Sequence, residues 1–229
     1  NIAYTPIKIN QHQKIITEIN DFMVQLFPQK ELRDYMWEHL ASTLIGENND
    51  QTFNIYNGSG SNGKSKMVEL MSAGLGDYKA TVPITLIASK RNSIGSTSSE
   101  VAQLKGIRYA VMQEPSKGDR INEGIMKEIT GGDPLQARAL FKDSITFIPQ
   151  FKLVVCTNTL LDVGSNDEGT WRRICVCEFI SKFCIKEEFE SEREHQFEID
   201  KKINNKFLEW TPIFMSLLVE KAISTDGLV

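Results

Sequence analysis

The stretch "NGSGSNGKS", residues 57–65, sets Gly58, Gly63, Lys64 and Ser65 at the spacing G-x-x-x-x-G-K-S. Glycine lets a backbone aim successive N–H groups inward, and a helix starting at the end of such a turn closes the concavity with its own unpaired amides. That chemistry suits a nucleoside triphosphate. Gly58, Ser59, Gly60, Ser61, Asn62, Gly63, Lys64 and Ser65 are the candidate nucleotide contacts. Lys64 is expected to reach the β- and γ-phosphates and Ser65 to hold Mg²⁺ through its hydroxyl, so ATP and Mg²⁺ are the implied cofactors.

Binding alone hydrolyses nothing; a water must be positioned and the charge of the transition state neutralised. "GIRYAVMQEP" supplies a carboxylate, Glu114, just past an apolar run, at the strand end where open parallel sheets bind ligands. Glu114 is expected to polarise the water, assist the metal, or both. Gln113 stands where a second acid would be usual. "FKLVVCTNTL" ends a second apolar run on Asn158, a candidate sensor of the γ-phosphate. "DEGTWRRICVCEF" offers Arg172 and Arg173, whose guanidiniums stay charged and donate in a rigid fork suited to a developing phosphate charge. A surface pair held by Asp167 or Glu168 is the plainer reading of those arginines.

The elements needed to position these residues are legible as alternating short apolar runs and helical patterns, which predict an α/β fold with a mostly parallel sheet. Strands are predicted at residues 52–56, 107–112, 151–157 and 174–179. A helix follows the phosphate loop, with Met67, Leu70, Met71 and Leu75 on one face. Residues 133–149 read as a hairpin, from their turn residues and the alternation of Ile145 with Phe147. Ahead of the sheet, Leu32, Tyr35, Met36, Leu40 and Leu44 share a helical face, with Gly46 as its stop. Past residue 180 the charged run "KEEFESEREHQFEIDKKINNKF" predicts a solvated helix, and a second helix is expected to start with Thr211 as cap and Pro212 in its first turn. The organisation expected is a helical lead-in over 1–46, a core over 47–180 and a helical segment over 181–229.

Bulk properties narrow the function classes. A net charge of −4 argues against a uniformly basic nucleic-acid-binding surface but leaves room for a local basic element. Cys156, Cys175, Cys177 and Cys184 show no C-x-x-C spacing and read as reduced core thiols of an intracellular protein, and the three histidines are too scattered for a zinc site. No apolar run approaches the roughly 20 residues that span a bilayer. The chain starts at Asn1, which suggests a fragment with partner domains elsewhere.

The four elements in this order, together with "EITGGDPLQARALFKDSITFIPQFKLVVCTN", resemble a superfamily 3 helicase, and most of all the helicase part of the primase-helicases of poxviruses, other large DNA viruses and certain phages. The resemblance covers nearly the whole chain. It implies an AAA+-like P-loop NTPase core, a hexameric ring, ATP-driven movement on single-stranded or forked DNA, a primase domain upstream, and a working place at viral or phage DNA replication, in the host cytoplasm. It places the phosphate-loop roles on Lys64 and Ser65, the acidic motif and metal assistance on Glu114, the sensor on Asn158, and a finger acting across the subunit boundary on Arg173, with Arg172 as the alternative. The family's DNA-gripping hairpin falls around Arg138, Phe141 and Lys142. Two rival classes stay open: an AAA+-type machine that remodels proteins or packages genomes, and a non-hydrolysing loader, which Gln113 encourages.

Overall fold

The computed structural model describes residues 8–88, 98–113, 120–164 and 167–229. Two compact units share the chain. Residues 45–59 and 77–178 form the sheet unit, and residues 1–44, 60–76 and 179–229 the helical unit. The glycine-rich loop over 58–63 carries the chain from the first to the second.

In the sheet unit, β1 (Phe53–Asn57), β2 (Lys79–Val82), β3 (Tyr109–Gln113), β6 (Lys152–Thr157) and β7 (Ile174–Glu178) make one parallel sheet in the order β2-β3-β6-β1-β7. The four strands expected from sequence are all present, with ends moved by one or two residues. The short edge strand β2 was not expected, since four residues ending just before Pro83 leave almost no pattern to read. β1, β3 and β6 are buried along nearly their whole length, as strands covered on both faces must be, which is why they read as continuous apolar runs. Travel along the chain runs toward β2 after β1 and returns to cross β1 only at β7. Such a reversal is where open α/β sheets bind ligands, beyond the carboxyl ends of the strands.

Short helices α4 (Thr85–Ala88) and α5 (Ser99–Ala102) precede β3, and α6 (Glu123–Thr130) follows it, with Asn122 capping by accepting from the amide of Ile125. The predicted hairpin is present as β4 (Leu135–Arg138) and β5 (Ser144–Phe147). Leu135, Ala137 and Phe147 anchor its base in the same apolar cluster as Phe53, Ile129 and Leu153. One turn, α7 (Glu168–Trp171), leads into β7.

The helical unit packs α1 (Gln13–Leu26), α2 (Lys30–Ser42) and α3 (Lys64–Leu75) around the long α8 (Ile203–Thr225). Phe22 meets Trp210 and Phe207 at ring separations of 5.6 and 6.1 Å, and Trp37 meets Phe214 at 5.7 Å. Two expectations fail in this unit. The charged run over 186–207 is not one helix: it holds a single 3-10 turn at Lys186–Glu188, the strand β9 (Gln196–Glu198), which pairs with β8 (Lys182–Cys184) just ahead of the run, and the first turn of α8. Its acids explain this: Glu188 with Glu192, and Glu190 with Glu194, would stand at repulsive i,i+4 spacing in a helix. Nor does a second helix begin at Thr211, because α8 runs straight through Pro212.

A proline inside a helix costs about 3 kcal/mol and leaves the carbonyl four residues back without its partner. Here that residue is Leu208, whose 81% exposure puts it where water can serve. Phe207 and Trp210 before the proline and Ile213 and Phe214 after it are all buried. At roughly 1.5–3 kcal/mol for each fully buried large apolar side chain, that continuous face outweighs the break.

Candidate nucleotide-binding site

β1 delivers the chain to the loop, and the loop's first amide fixes its take-off: Gly58 N–H donates to the carbonyl of Thr157 at 3.2 Å, the last residue of β6. Register pairs Asn57 with Thr157, so Asn158 stands beside Gly58 at the carboxyl edge of the sheet. The Thr157 hydroxyl donates to the carbonyl of Thr159 at 2.5 Å and accepts from the Thr159 amide at 3.1 Å, a tight turn with the exposed Asn158 at its crest. On the other side of β6, register pairs Gln113 with Cys156. Asn158 therefore follows a strand lying between the one that leads to the glycine-rich loop and the one that leads to residue 114. Glu114 itself lies outside the described residues.

Within the helical unit, Gly60, Ser61 and Gly63 take φ values of 95°, 48° and 84°. This is the left-handed curl that turns consecutive amides toward one centre. Phe183 N–H holds Ser61 in that conformation by donating to its carbonyl at 2.7 Å. Gly63 is required twice over, since a Cβ there would sit 2.2 Å from Leu26 Cδ2 as well as strain the backbone. α3 then begins at Lys64 with no side-chain cap and no acid in its first turn, which leaves an electropositive helix start suited to an anion. Asn62 Oδ1 accepts from the Lys64 amide at 3.3 Å, while its Nδ2 is buried and has no hydrogen-bond partner among the described residues. Lys64 is 7% exposed and Ser65 is exposed. These features fit a triphosphate and its magnesium ion.

The arginines stand at the other edge. Arg172 and Arg173 precede β7, whose first residue pairs with Phe53, the first residue of β1. Five residues at about 3.3 Å rise put roughly 15 Å between that edge and the loop's take-off. Arg173 is 8% exposed, donating from Nη1 to the Gly169 carbonyl at 2.5 Å and from Nη2 to Gln51 Oε1 at 2.7 Å. Burial and the neighbouring Arg172 cation lower its pKa from the ordinary guanidinium value, yet guanidinium stays protonated in proteins. Arg172 is exposed and donates from Nη2 to the same Gln51 oxygen at 2.7 Å. The turn before them is pinned by Asp167, which accepts from the Thr170 amide and hydroxyl at 3.1 Å each and pairs with Lys127. Hydrogen bonds from Lys127 and Thr170 hold the Asp167 carboxyl down at about 2.

At the hairpin tip, Lys142 N–H donates to the Ala139 carbonyl at 3.2 Å and Arg138 Nε to the Lys142 carbonyl at 3.2 Å. Phe141 has φ 57° and is 91% exposed, with Arg138 and Lys142 exposed beside it. An exposed aromatic ring with cations beside it has the chemistry to stack on a base and meet a phosphate.

Sequence reading missed two features of these edges. Gln51, which collects both arginines, sits in a turn whose geometry no pattern announces. Asn57 Nδ2, at the carboxyl edge, donates to both carboxylate oxygens of Glu178 at 3.1 and 3.0 Å, a pairing set only by strand register.

Residues 56–173, just over half of the chain, match the model described as "Family of unknown function (DUF5906)". The chain belongs to DUF5906. Among curated relatives of this DUF5906 chain, "Putative helicase L207/L206" of Acanthamoeba polyphaga mimivirus is 40% identical over 95% of the chain, and "Putative helicase 022R" of Frog virus 3 is 33% identical over 76%. "Putative primase C962R" of African swine fever virus (isolate Warthog/Namibia/Wart80/1980) is 25% identical over 80%. The DUF5906 chain spans 23%, 18% and 19% of these relatives. In fold it is similar to the C-terminal region of NrS-1 (305–718), with a TM-score of 0.62 at 13% identity over 94% of this chain and 45% of that one. No described helix is long and apolar enough to cross a membrane.

Proposed function

We propose that this chain is the ATPase part of a replicative DNA helicase of the large-virus type. It works as a hexameric ring at the site of viral DNA replication inside the host cell, and hydrolyses ATP to move along single-stranded DNA and open forked duplex. The observation that carries the reading is the bond from Gly58 to Thr157, which ties the candidate phosphate-binding turn to the strand that leads to Asn158. The names of the relatives support the replicative setting. Because the chain spans about a fifth of those relatives, a primase domain upstream in the full-length protein belongs to the same proposal.

In this reading the amides of residues 58–65 and the Lys64 ammonium bind the phosphates, and Ser65 with Glu114 holds Mg²⁺. When bound, the metal neutralises charge building on the β- and γ-oxygens. Glu114 orients the attacking water, and Asn158 registers the γ-phosphate. The arginine pair stands at the opposite end of the sheet from the take-off of its own loop, about 15 Å along β1, and in this reading serves the nucleotide of the neighbouring copy. The family resemblance favours Arg173 as the finger, but its guanidinium is buried and held by Gly169 and Gln51. The finger is therefore assigned to the alternative, the exposed Arg172, with Arg173 bracing it from the interior. Phe141, Lys142 and Arg138 contact the strand in the channel.

The test is strand separation of a forked duplex by the full-length protein with ATP and Mg²⁺. Unwinding that Lys64→Ala abolishes supports the reading. ATP turnover without any strand separation overturns it in favour of a protein-remodelling or genome-packaging ATPase.

A further inference from the structure

Gln51 lies in none of the nucleotide or DNA elements, yet its carboxamide is the junction of three structural segments. Its Oε1 accepts from Arg172 Nη2 and from Arg173 Nη2, each at 2.7 Å, and its Nε2 donates to the Gly131 carbonyl at 2.9 Å, at the end of α6. The backbone is committed too: Gln51 holds φ 53°, which few residues other than glycine and asparagine adopt freely, and its amide donates to the Asn48 carbonyl at 3.1 Å. Next to it, Asp50 is locked to Lys152.

We propose that Gln51 is a positioning residue for the arginine pair, holding the two guanidiniums together at the sheet edge so that Arg172 is presented to the neighbouring copy's nucleotide. The inference rests on the hydrolysis reading above. Two adjacent guanidiniums repel, and Arg173 carries a buried Nε with no partner among the described residues, so the pair needs an acceptor to stay together. A carboxylate would supply one but would cancel the positive charge that a phosphate must meet. A neutral amide oxygen accepts two donors and leaves both charges standing. The Nε2 bond to Gly131 fixes which way that oxygen faces, since reversing the amide would set an oxygen against a carbonyl and an N–H₂ against two cations.

The experiment uses the full-length protein and compares wild type, Arg172→Ala, Gln51→Ala, Gln51→Asn and the double variant Gln51→Ala/Arg172→Ala. Asparagine suits positive φ and keeps the amide but is one methylene too short to hold both arginines. Misplacement on the ångström scale costs on the order of 10²-fold in rate. Gln51→Ala and Gln51→Asn are therefore expected to lose about that factor in kcat for ATP while KM stays within about twofold. The double variant is expected to be no slower than Arg172→Ala alone, because Gln51 acts through the arginine.

Mixing supplies a readout that a purely structural role would not move. A Gln51→Ala copy keeps its own phosphate loop, so adding Lys64→Ala protein, whose arginines are correctly held, is expected to restore turnover above the sum of the two alone. Wild-type kcat in Gln51→Ala, or a mixture no more active than its parts, overturns the positioning role while leaving the hydrolysis reading intact. A wild-type protein that turns over no ATP overturns that reading and this inference with it.

Discussion

Buried Lys152 and half-buried Asp50 form an ion pair at the amino-terminal edge of the sheet, Lys152 being the first residue of β6 and Asp50 lying beside the turn that carries Gln51. Burial alone would raise the Asp50 carboxyl, but the hydrogen bond and charge of Lys152, with the Thr52 hydroxyl, outweigh it and hold the group below the usual carboxylate value. Removing one partner of such a pair strands the other in low dielectric. Lys152→Ala is expected to destabilise the protein by about 3 kcal/mol, whereas exchanging both for apolar residues, Asp50→Leu with Lys152→Met, costs far less. Urea denaturation checks both, and an unchanged midpoint in Lys152→Ala contradicts the account.

The same pair sets a pH dependence. A carboxyl lowered in the folded state contributes stability that is fully present above its unfolded value near 4 and is lost as pH falls through the folded value. Between about pH 4 and the lower folded value, wild type is expected to lose stability more steeply than Asp50→Asn. Parallel acid titrations of the two proteins would refute this.

Arg172 and Arg173 should separate by readout. An arginine finger contributes roughly 10³ to 10⁵ in rate. Arg172→Ala is expected to lose that much turnover while melting as wild type does, because its side chain is exposed. Arg173→Ala is expected to lose turnover and also melt lower, since its guanidinium donates to Gly169 and Gln51 from a buried position. Thermal melts alongside ATP turnover decide this; equal melting temperatures with full activity in Arg172→Ala would exclude it as the finger.

The hairpin tip makes a separable prediction about DNA. Lys142→Ala is expected to weaken single-stranded DNA binding and to reduce the slope of log affinity against log salt by about one unit, as the loss of one phosphate contact should. Phe141→Ala is expected to cost about 1–3 kcal/mol of binding with the salt slope unchanged, as the loss of one stacked base should. Fluorescence anisotropy over a salt series distinguishes the two, and affinities insensitive to both changes remove the hairpin from the DNA path.

What was legible in the sequence follows from what is local. The strands over 53–57, 109–113 and 152–157 were readable because burial on both faces demands unbroken apolar residues, and the hairpin because Leu135, Ala137 and Phe147 alternate into the core. The curl of the glycine-rich loop over 58–63 was readable because that spacing of glycines and left-handed backbone go together. The bonds of Gln51 to two arginines more than a hundred residues away depend on turn geometry and on the register of β1 with β7, and neither is written in any short window. Pro212 misled for a related reason: its local preference for a helix start yields to the buried faces of Phe207, Trp210, Ile213 and Phe214. The charged run over 186–207 is mostly exposed, as its composition predicts, but is not the continuous helix expected, because exposure and periodicity are separate properties.

The most direct test of the central claim is ATP turnover by the full-length protein, measured with and without single-stranded DNA, for wild type and for Lys64→Ala. The account predicts hydrolysis that DNA accelerates and that Lys64→Ala reduces at least about 10²-fold, because the ammonium at the start of α3 neutralises the phosphates. Turnover in Lys64→Ala equal to wild type, or none in either protein, would contradict it.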